Sequence, residues 1–246
     1  MCFELDSLPP IPVISGGEHA YENLVLKASD GNEFAAFFVP GEVPSGAGVV
    51  ILPDVRGLYS FYEQLALRFA ERGYPAIAID YFGRTAGVSE RDDDFEYMEH
   101  VQQTTPEGVQ ADVAAAVAYL RDQDATSVFT VGFCYGGRNS WLATAGGHGL
   151  AGAIGFYGRP PLDEAANMEG PILALQAGDD AHITATDNAA FDEALTAAGV
   201  DHEVVTYDGA PHSFFDRKYE EFADASADAW RRTLEFIERY RGADAG

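Results

Sequence analysis

Cys134 is the residue of this 246-residue chain that is best placed to act as a nucleophile. It lies in the run Gly132-Phe133-Cys134-Tyr135-Gly136, after an apolar stretch from Ser127 to Val131 and before a helical pattern. A nucleophile elbow consists of a strand, a sharp turn and a helix, with one glycine two residues before the nucleophile and another two residues after it. The amino terminus of that helix favours a thiolate over a thiol. A small buried cysteine without a chemical role is the alternative, and the surrounding pattern favours the nucleophile.

A thiol nucleophile needs a base and an acid that orients the base. His212 follows an apolar stretch from Glu203 to Tyr207 and comes just before the last helical pattern. In elbow enzymes the acid follows a later strand and the histidine comes near the end of the chain. The acid is therefore expected in the Gly-Asp-Asp turn after the strand that ends at Gln176. Asp179 and Asp180 compete for this role, and at most one should reach the histidine because adjacent turn residues point apart.

The oxyanion formed during attack on a carbonyl needs N–H donors. One is expected from Tyr135, the residue after the nucleophile, and a second from the loop after the third strand, where Val55 is the choice by analogy. No metal site is expected. No pair of histidines or cysteines has metal-ligand spacing, and the acidic run from Asp92 to Asp94 lacks the calcium-loop pattern.

Strand and helix patterns alternate along the chain, which predicts an α/β protein with a mostly parallel sheet covered by helices on both faces. Eight strands are expected, at Asn23 to Lys27, Phe34 to Val39, Gly48 to Leu52, Ala76 to Ile79, Ser127 to Val131, Ala151 to Phe156, Pro171 to Gln176 and Glu203 to Tyr207. Helices are expected at Phe61 to Glu71, Val109 to Asp122, Arg138 to Ala145, Asn188 to Ala198 and Tyr219 to Tyr240. The first two strands should form an antiparallel hairpin at the sheet edge. The segment from Tyr81 to Pro106 lacks a clear period, which is typical of a lid or of disordered surface.

Composition restricts the partners and the compartment. Fifteen basic and 40 acidic residues give a formal charge of −25, which repels nucleic acid and anionic lipid, so neither is an expected partner. Cys2 and Cys134 provide no disulfide framework, and no apolar stretch approaches the roughly 20 residues that span a bilayer. A single domain over residues 1–246, cytoplasmic and without a signal peptide, is expected. A monomer is expected because no exposed apolar stripe indicates self-association.

From Leu24 to its end, the chain resembles the dienelactone hydrolase family, also called carboxymethylenebutenolidases. The elbow with Cys134, the Gly-Asp-Asp turn and the terminal His-Ser-Phe carry this resemblance. It implies an α/β-hydrolase fold and the opening of an enol-lactone, a small-molecule substrate, without a cofactor. It also implies a triad of Cys134, His212 and Asp180, so that Asp180 is preferred over Asp179.

The resemblance implies three further roles. Asp54 occupies the position of an acidic residue, usually Glu, that contacts the resting thiol, although Asp is one methylene shorter. Arg84 occupies the position of an arginine that binds the substrate carboxylate. A second family arginine falls on Asp216, with Arg217 one residue further along, and this departure weakens the prediction of the family's own substrate.

Three hypotheses about function follow. The first is a dienelactone-type hydrolase that acts on a small lactone with a carboxylate. The second is a broader carboxylesterase with the same triad, which would hydrolyse neutral aryl esters even after Arg84→Ala. The third is a non-catalytic α/β-hydrolase relative that binds its ligand, which an unreactive Cys134 would favour.

Overall fold

The computed structural model describes residues 3–14, 20–41, 45–89, 91–92 and 94–242, and within these ranges eight strands form one sheet. The strand order is β1-β2-β4-β3-β5-β6-β7-β8. The strands are β1 Glu22–Lys27, β2 Glu33–Val39, β3 Ala47–Leu52, β4 Ala76–Ile79, β5 Ser127–Phe133, β6 Gly152–Phe156, β7 Ile172–Asp179 and β8 His202–Pro211. β1 pairs antiparallel with β2 and β2 with β4, whereas the other neighbours are parallel. The predicted α/β-hydrolase fold and its edge hairpin are therefore confirmed.

Seven α-helices and two short 3-10 helices, Leu162–Asn167 and Glu220–Phe222, connect the strands within the described ranges. The α-helices are α1 Ser60–Ala70, α2 Gly83–Ala86, α3 Tyr97–Val101, α4 Pro106–Asp122, α5 Tyr135–Thr144, α6 Ala185–Ala198 and α7 Ala223–Tyr240. Of these, α2 and α3 lie in the segment whose path the sequence did not predict. No helix in the described part of the chain combines the length and the apolar character needed to cross a membrane.

The sheet is buried on both faces because alternate residues of each central strand point to opposite sides. In β3, Val49 and Ile51 belong to the cluster that contains residues of α1 and α7. Val50 and Leu52 belong to the cluster packed against α4. This double cover holds the carboxyl ends of the parallel strands rigidly, and functional loops of such sheets lie at those ends.

Candidate active site

Cys134 lies between β5 and α5 in a strained backbone conformation. Its φ of 54° and ψ of −112° are unusual for a residue with a side chain, and its amide donates to the Phe156 carbonyl at 3.0 Å. A Cβ on Gly132 would lie 2.0 Å from the Gly136 carbonyl oxygen, and one on Gly136 would lie 2.0 Å from the Leu52 carbonyl oxygen. Neither position can hold a side chain, so the two glycines are required for the strand and helix to meet at Cys134.

Asp180 and His212 are joined by a hydrogen bond of 2.6 Å between Oδ2 and Nδ1. The other carboxylate oxygen accepts the amides of His182, at 2.8 Å, and Ile183, at 3.2 Å. Burial acts to raise the pKa of Asp180, but the hydrogen bonds from His212 and the two amides outweigh burial and lower the pKa. Asp180 is thereby held as a carboxylate, whereas Asp179 is exposed. The structure thus brings Asp180 to His212, and the catalytic role of Asp180 stays a prediction.

The ring of His212 is also held by packing, since the ring of Tyr157 lies 5.0 Å from it between centroids. Tyr157 has a positive φ of 36° and is buried at the carboxyl end of β6. Because Nδ1 bonds to Asp180, Nε2 is the nitrogen that can exchange a proton with a group in the active-site cavity.

This cavity has a volume of about 440 Å³ and contains both Cys134 and His212. Tyr135 and Val55, the predicted oxyanion donors, also line it. The complete lining consists of Val55, Arg56, Tyr97, Met98, Cys134, Tyr135, Arg138, Tyr157, Arg159, His182, Ile183 and His212. A thiol, an imidazole that is bonded to a carboxylate and a mostly apolar wall thus line one cavity.

Asp54 is a buried residue of the loop after β3, the same loop that carries Val55. Its carboxylate accepts the Arg56 amide at 2.8 Å and the Tyr59 hydroxyl at 3.1 Å, while its own amide donates to the Tyr62 hydroxyl at 2.9 Å. Burial raises the pKa of Asp54 to about 6. These bonds fix the conformation of the loop, and the expected contact with the thiol stays a prediction.

The expected role of Arg84 does not fit its position. Arg84 is absent from the cavity lining, and its guanidinium bonds to Asp30 at 2.6 Å and Asp112 at 2.5 Å. It therefore joins the turn between β1 and β2 to α4. The physical reason is that two carboxylates on neighbouring elements already neutralise this cation.

Arg217 and Asp216 also lie apart from the cavity. The Arg217 guanidinium donates to the Pro9 carbonyl, and the Asp216 carboxylate accepts the Ser7 hydroxyl at 2.5 Å. Both residues hold the amino-terminal segment against the loop that follows His212.

Sequence reasoning missed the three cations that line the cavity, Arg56, Arg138 and Arg159. Two of them carried a usable signal, because Arg138 lies one helical turn after Cys134 and Arg159 comes shortly after β6 ends. It also missed Tyr97 and Met98 of α3, which cover the cavity.

Comparisons with known proteins identify the family. Residues 34–241 match the Dienelactone hydrolase family. A carboxymethylenebutenolidase of Rhodococcus opacus is 28% identical over 256 residues, covering 98% of this chain and 97% of its own. A dienelactone hydrolase-like promiscuous phosphotriesterase from metagenomic libraries superposes with a TM-score of 0.78 at 22% identity, covering 91% of this chain and 99% of its own.

Dipeptidyl peptidase 4 of Porphyromonas gingivalis superposes with a TM-score of 0.71 at 16% identity, covering 90% of this chain and 36% of its own. At these identities the two solved structures show the fold alone. The family match spans most of the chain, including the elbow, the Gly-Asp-Asp turn and His212. The chain therefore belongs to the dienelactone hydrolase family and is a hydrolase.

Proposed function

We propose that this hydrolase opens a small lactone or ester by attack of the Cys134 thiolate, with His212 as the base and Asp180 as the acid that orients it. The observation that carries the proposal is the 2.6 Å bond between Asp180 and His212, beside a cavity that contains both His212 and Cys134. A base held by a carboxylate next to a nucleophile on an elbow is the arrangement needed for acyl transfer.

In the first half of the reaction the Cys134 sulfur attacks the carbonyl carbon. A C–S bond forms, and the negative charge on the carbonyl oxygen is stabilised by the amides of Tyr135 and Val55. When the carbonyl re-forms, the ring C–O bond breaks and the leaving oxygen departs as an enolate. In the second half His212 takes a proton from water and the hydroxide attacks the thioester, whose C–S bond breaks to release the acid and the thiolate. The proton on His212 then passes to the enolate, which regenerates the base.

A carboxylate-bearing enol-lactone is the proposed substrate. Thioesters form readily only when the leaving group is a good one, so an enolate suits a thiolate nucleophile better than a simple alkoxide does. The arginines on the cavity wall provide the positive charge that a carboxylate requires.

A broader carboxylesterase is the second candidate, and the apolar part of the cavity favours it. Tyr97, Met98, Tyr157 and Ile183 could accept a neutral aryl group. The two candidates differ in whether the substrate must be charged.

The proposal is tested by comparing hydrolysis of a carboxylate-bearing dienelactone with that of a neutral aryl acetate. Cys134→Ala should abolish turnover of both compounds, and Asp180→Asn should lower kcat/KM by about 10²–10⁴-fold because His212 loses its orienting acid. The matched control is Asp179→Asn, which should stay within about twofold because that carboxylate is exposed.

Each result has a distinct meaning. Fast lactone turnover that depends on Cys134 supports the dienelactone hydrolase, and turnover of the acetate alone supports the esterase. Turnover that survives Cys134→Ala would overturn the proposed nucleophile.

A further inference from the structure

Arg138 and Arg159 lie together on one wall of the active-site cavity. Arg138 donates to the backbone carbonyl of Arg159 at 3.3 Å, and Arg159 donates to the backbone carbonyl of His182 at 3.3 Å. In the described part of the chain neither guanidinium lies within 4.0 Å of a carboxylate. Their hydrogen bonds thus leave both positive charges without a close counter-ion.

Two buried or half-buried arginines elsewhere in the chain provide a contrast. With 40 acidic residues for 15 basic ones, carboxylates are abundant, and both Arg84 and Arg91 pair with a buried aspartate. Arg138 is partly buried and Arg159 is exposed, so a nearby anion would stabilise the charge of Arg138 more than that of Arg159.

Electrostatics around Arg138 support the same conclusion. Burial lowers the pKa of its guanidinium, and the positive charge of Arg159 lowers it further. Asp163 and Glu164 oppose this effect only from beyond ion-pair distance. An anion bound between the two arginines would relieve the repulsion and stabilise the charged form of Arg138.

We propose that Arg138 and Arg159 form the subsite that binds the carboxylate of the substrate, in place of the arginine expected after β4. This inference rests on the proposed function, since it names the charged group that the same cavity selects. Arg138 is the fourth residue of α5, one helical turn after Cys134, and both line the cavity, so a carboxylate bound there would share the cavity with the carbonyl under attack. A guanidinium can bind a carboxylate through two parallel N–H bonds, which fixes the orientation of the substrate.

The first test uses alkylation of Cys134 and needs no turnover. Iodoacetate and iodoacetamide both form a C–S bond with the thiolate and release iodide, but only iodoacetate carries a carboxylate. In a Cys2→Ser background, the ratio of the two rate constants, iodoacetate over iodoacetamide, should be higher for the protein than for free cysteine. Arg138→Met and Arg159→Met should each lower this ratio by about 10-fold or more, which matches the loss of a hydrogen bond to a charged group.

Arg84→Met is the matched control and should leave the ratio unchanged. Arg159 is exposed, so its variant should remain folded even if Arg138→Met does not. An unchanged ratio in Arg159→Met would overturn the subsite. An enzyme that hydrolyses neither the lactone nor the ester would instead overturn the proposed function, because alkylation is measured independently of turnover.

The second test compares a carboxylate-bearing ester with its neutral methyl-ester analogue. Arg138→Met should lower kcat/KM for the charged ester by about 10–100-fold and change that for the neutral one by less than about twofold. Equal losses for both esters would contradict the subsite, and so would a selective loss in Arg84→Met.

Discussion

Asp54 is a carboxyl group whose protonation state depends on its burial. Its side chain is enclosed, and burial raises its pKa from 3.8 to about 6, although the Arg56 amide and the Tyr59 hydroxyl oppose this shift. Between pH 3.8 and about pH 6 the Asp54 carboxyl keeps its proton in the folded protein but loses it in the unfolded chain. Stability from this group therefore decreases as the pH rises from about 4 to 6, and the full penalty is present above pH 6.

Replacing this carboxyl should change how stability depends on pH. At about 1.4 kcal/mol per pKa unit, the penalty in the wild type at neutral pH is about 3 kcal/mol, and Asp54→Asn removes it. The free energy of unfolding of the variant relative to wild type should therefore increase by up to this amount between pH 4 and pH 7. Urea denaturation at several pH values measures it, with Asp179→Asn as the control. A difference that stays constant with pH would contradict the raised pKa.

The roles of some single residues could be predicted from the sequence, and those of others could not. Cys134 and His212 could be proposed because a strained turn and a fixed chain order leave few positions for them. The chain order left Asp179 and Asp180 open, and only the family resemblance favoured Asp180. The role of Arg84 could not be judged, because it depends on Asp30 and Asp112, which are close only in the folded chain. Arg159 escaped notice for the same reason, since its proximity to Arg138 comes from the pairing of β5 with β6.

At the scale of elements, the elbow depends on how closely α5 approaches β3. A Cβ on Gly136 would lie 2.0 Å from the carbonyl oxygen of Leu52 and 2.3 Å from that of Pro53, and backbone atoms cannot move aside as a side chain can. Gly136→Ala should lower the free energy of unfolding by more than about 3 kcal/mol.

Gly199→Ala is a matched control for this prediction. Gly199 ends α6 with a φ of 72°, and a Cβ added there would have no heavy atom within 4 Å. Alanine at this position should therefore cost only about 1 kcal/mol of backbone strain. Urea denaturation of both variants makes the comparison. If both variants lost the same free energy of unfolding, the close approach of backbone atoms at Gly136 would not explain the need for glycine there.

The segment that covers the cavity is fixed by Arg91. Its guanidinium pairs with Asp80 at 2.8 Å, with both side chains almost fully buried, and lies 4.6 Å from the ring centroid of Phe95. Asp80 also accepts the amide of Leu58, at the end of the loop that carries Val55. One ion pair thus connects the segment that includes α3 with the loop of the predicted oxyanion donor.

Arg91→Leu should therefore lower the free energy of unfolding by about 3–5 kcal/mol, since it leaves the Asp80 charge buried without its cation. It should also reduce kcat/KM, because Tyr97 and Met98 lose their fixed position on the cavity wall. The control is Arg231→Leu, which removes exposed ion pairs and should cost less than about 1 kcal/mol. A loss for Arg91→Leu no larger than the control would contradict this anchoring role.

Elements with a strong hydrophobic period could be predicted from the sequence. Elements held by contacts between residues far apart in sequence could not. β4 has the expected bounds and the other strands differ from expectation by a few residues at their ends, because buried strands carry continuous apolar runs. α2 and α3 are too short to show a helical period. α3 is instead held by contacts between residues distant in sequence, such as that of Phe82 with His100, with ring centroids 6.0 Å apart.

The whole molecule carries a formal charge of −25, which affects its stability more than any one surface ion pair does. Like charges on a folded surface repel one another, and this repulsion is relieved on unfolding. Salt screens it, since the Debye length falls to about 10 Å at 0.1 M. Raising KCl from 0.02 M to 0.5 M at pH 7.5 should therefore increase the free energy of unfolding, on the order of 1 kcal/mol.

Urea denaturation at the two salt concentrations measures this effect, and pH provides the control. At pH 5, closer to the isoelectric point of about 4.3, most histidines are charged and a minority of carboxylates are protonated. The net negative charge is therefore smaller, and the same rise in KCl should stabilise the protein less. The surface ion pairs, such as those of Lys218 with Glu4 and Asp6, are weakened by salt and act in the opposite direction. If salt lowered stability at pH 7.5, these local attractions would outweigh the net repulsion, and the acidic surface would have to be explained as a network of pairs.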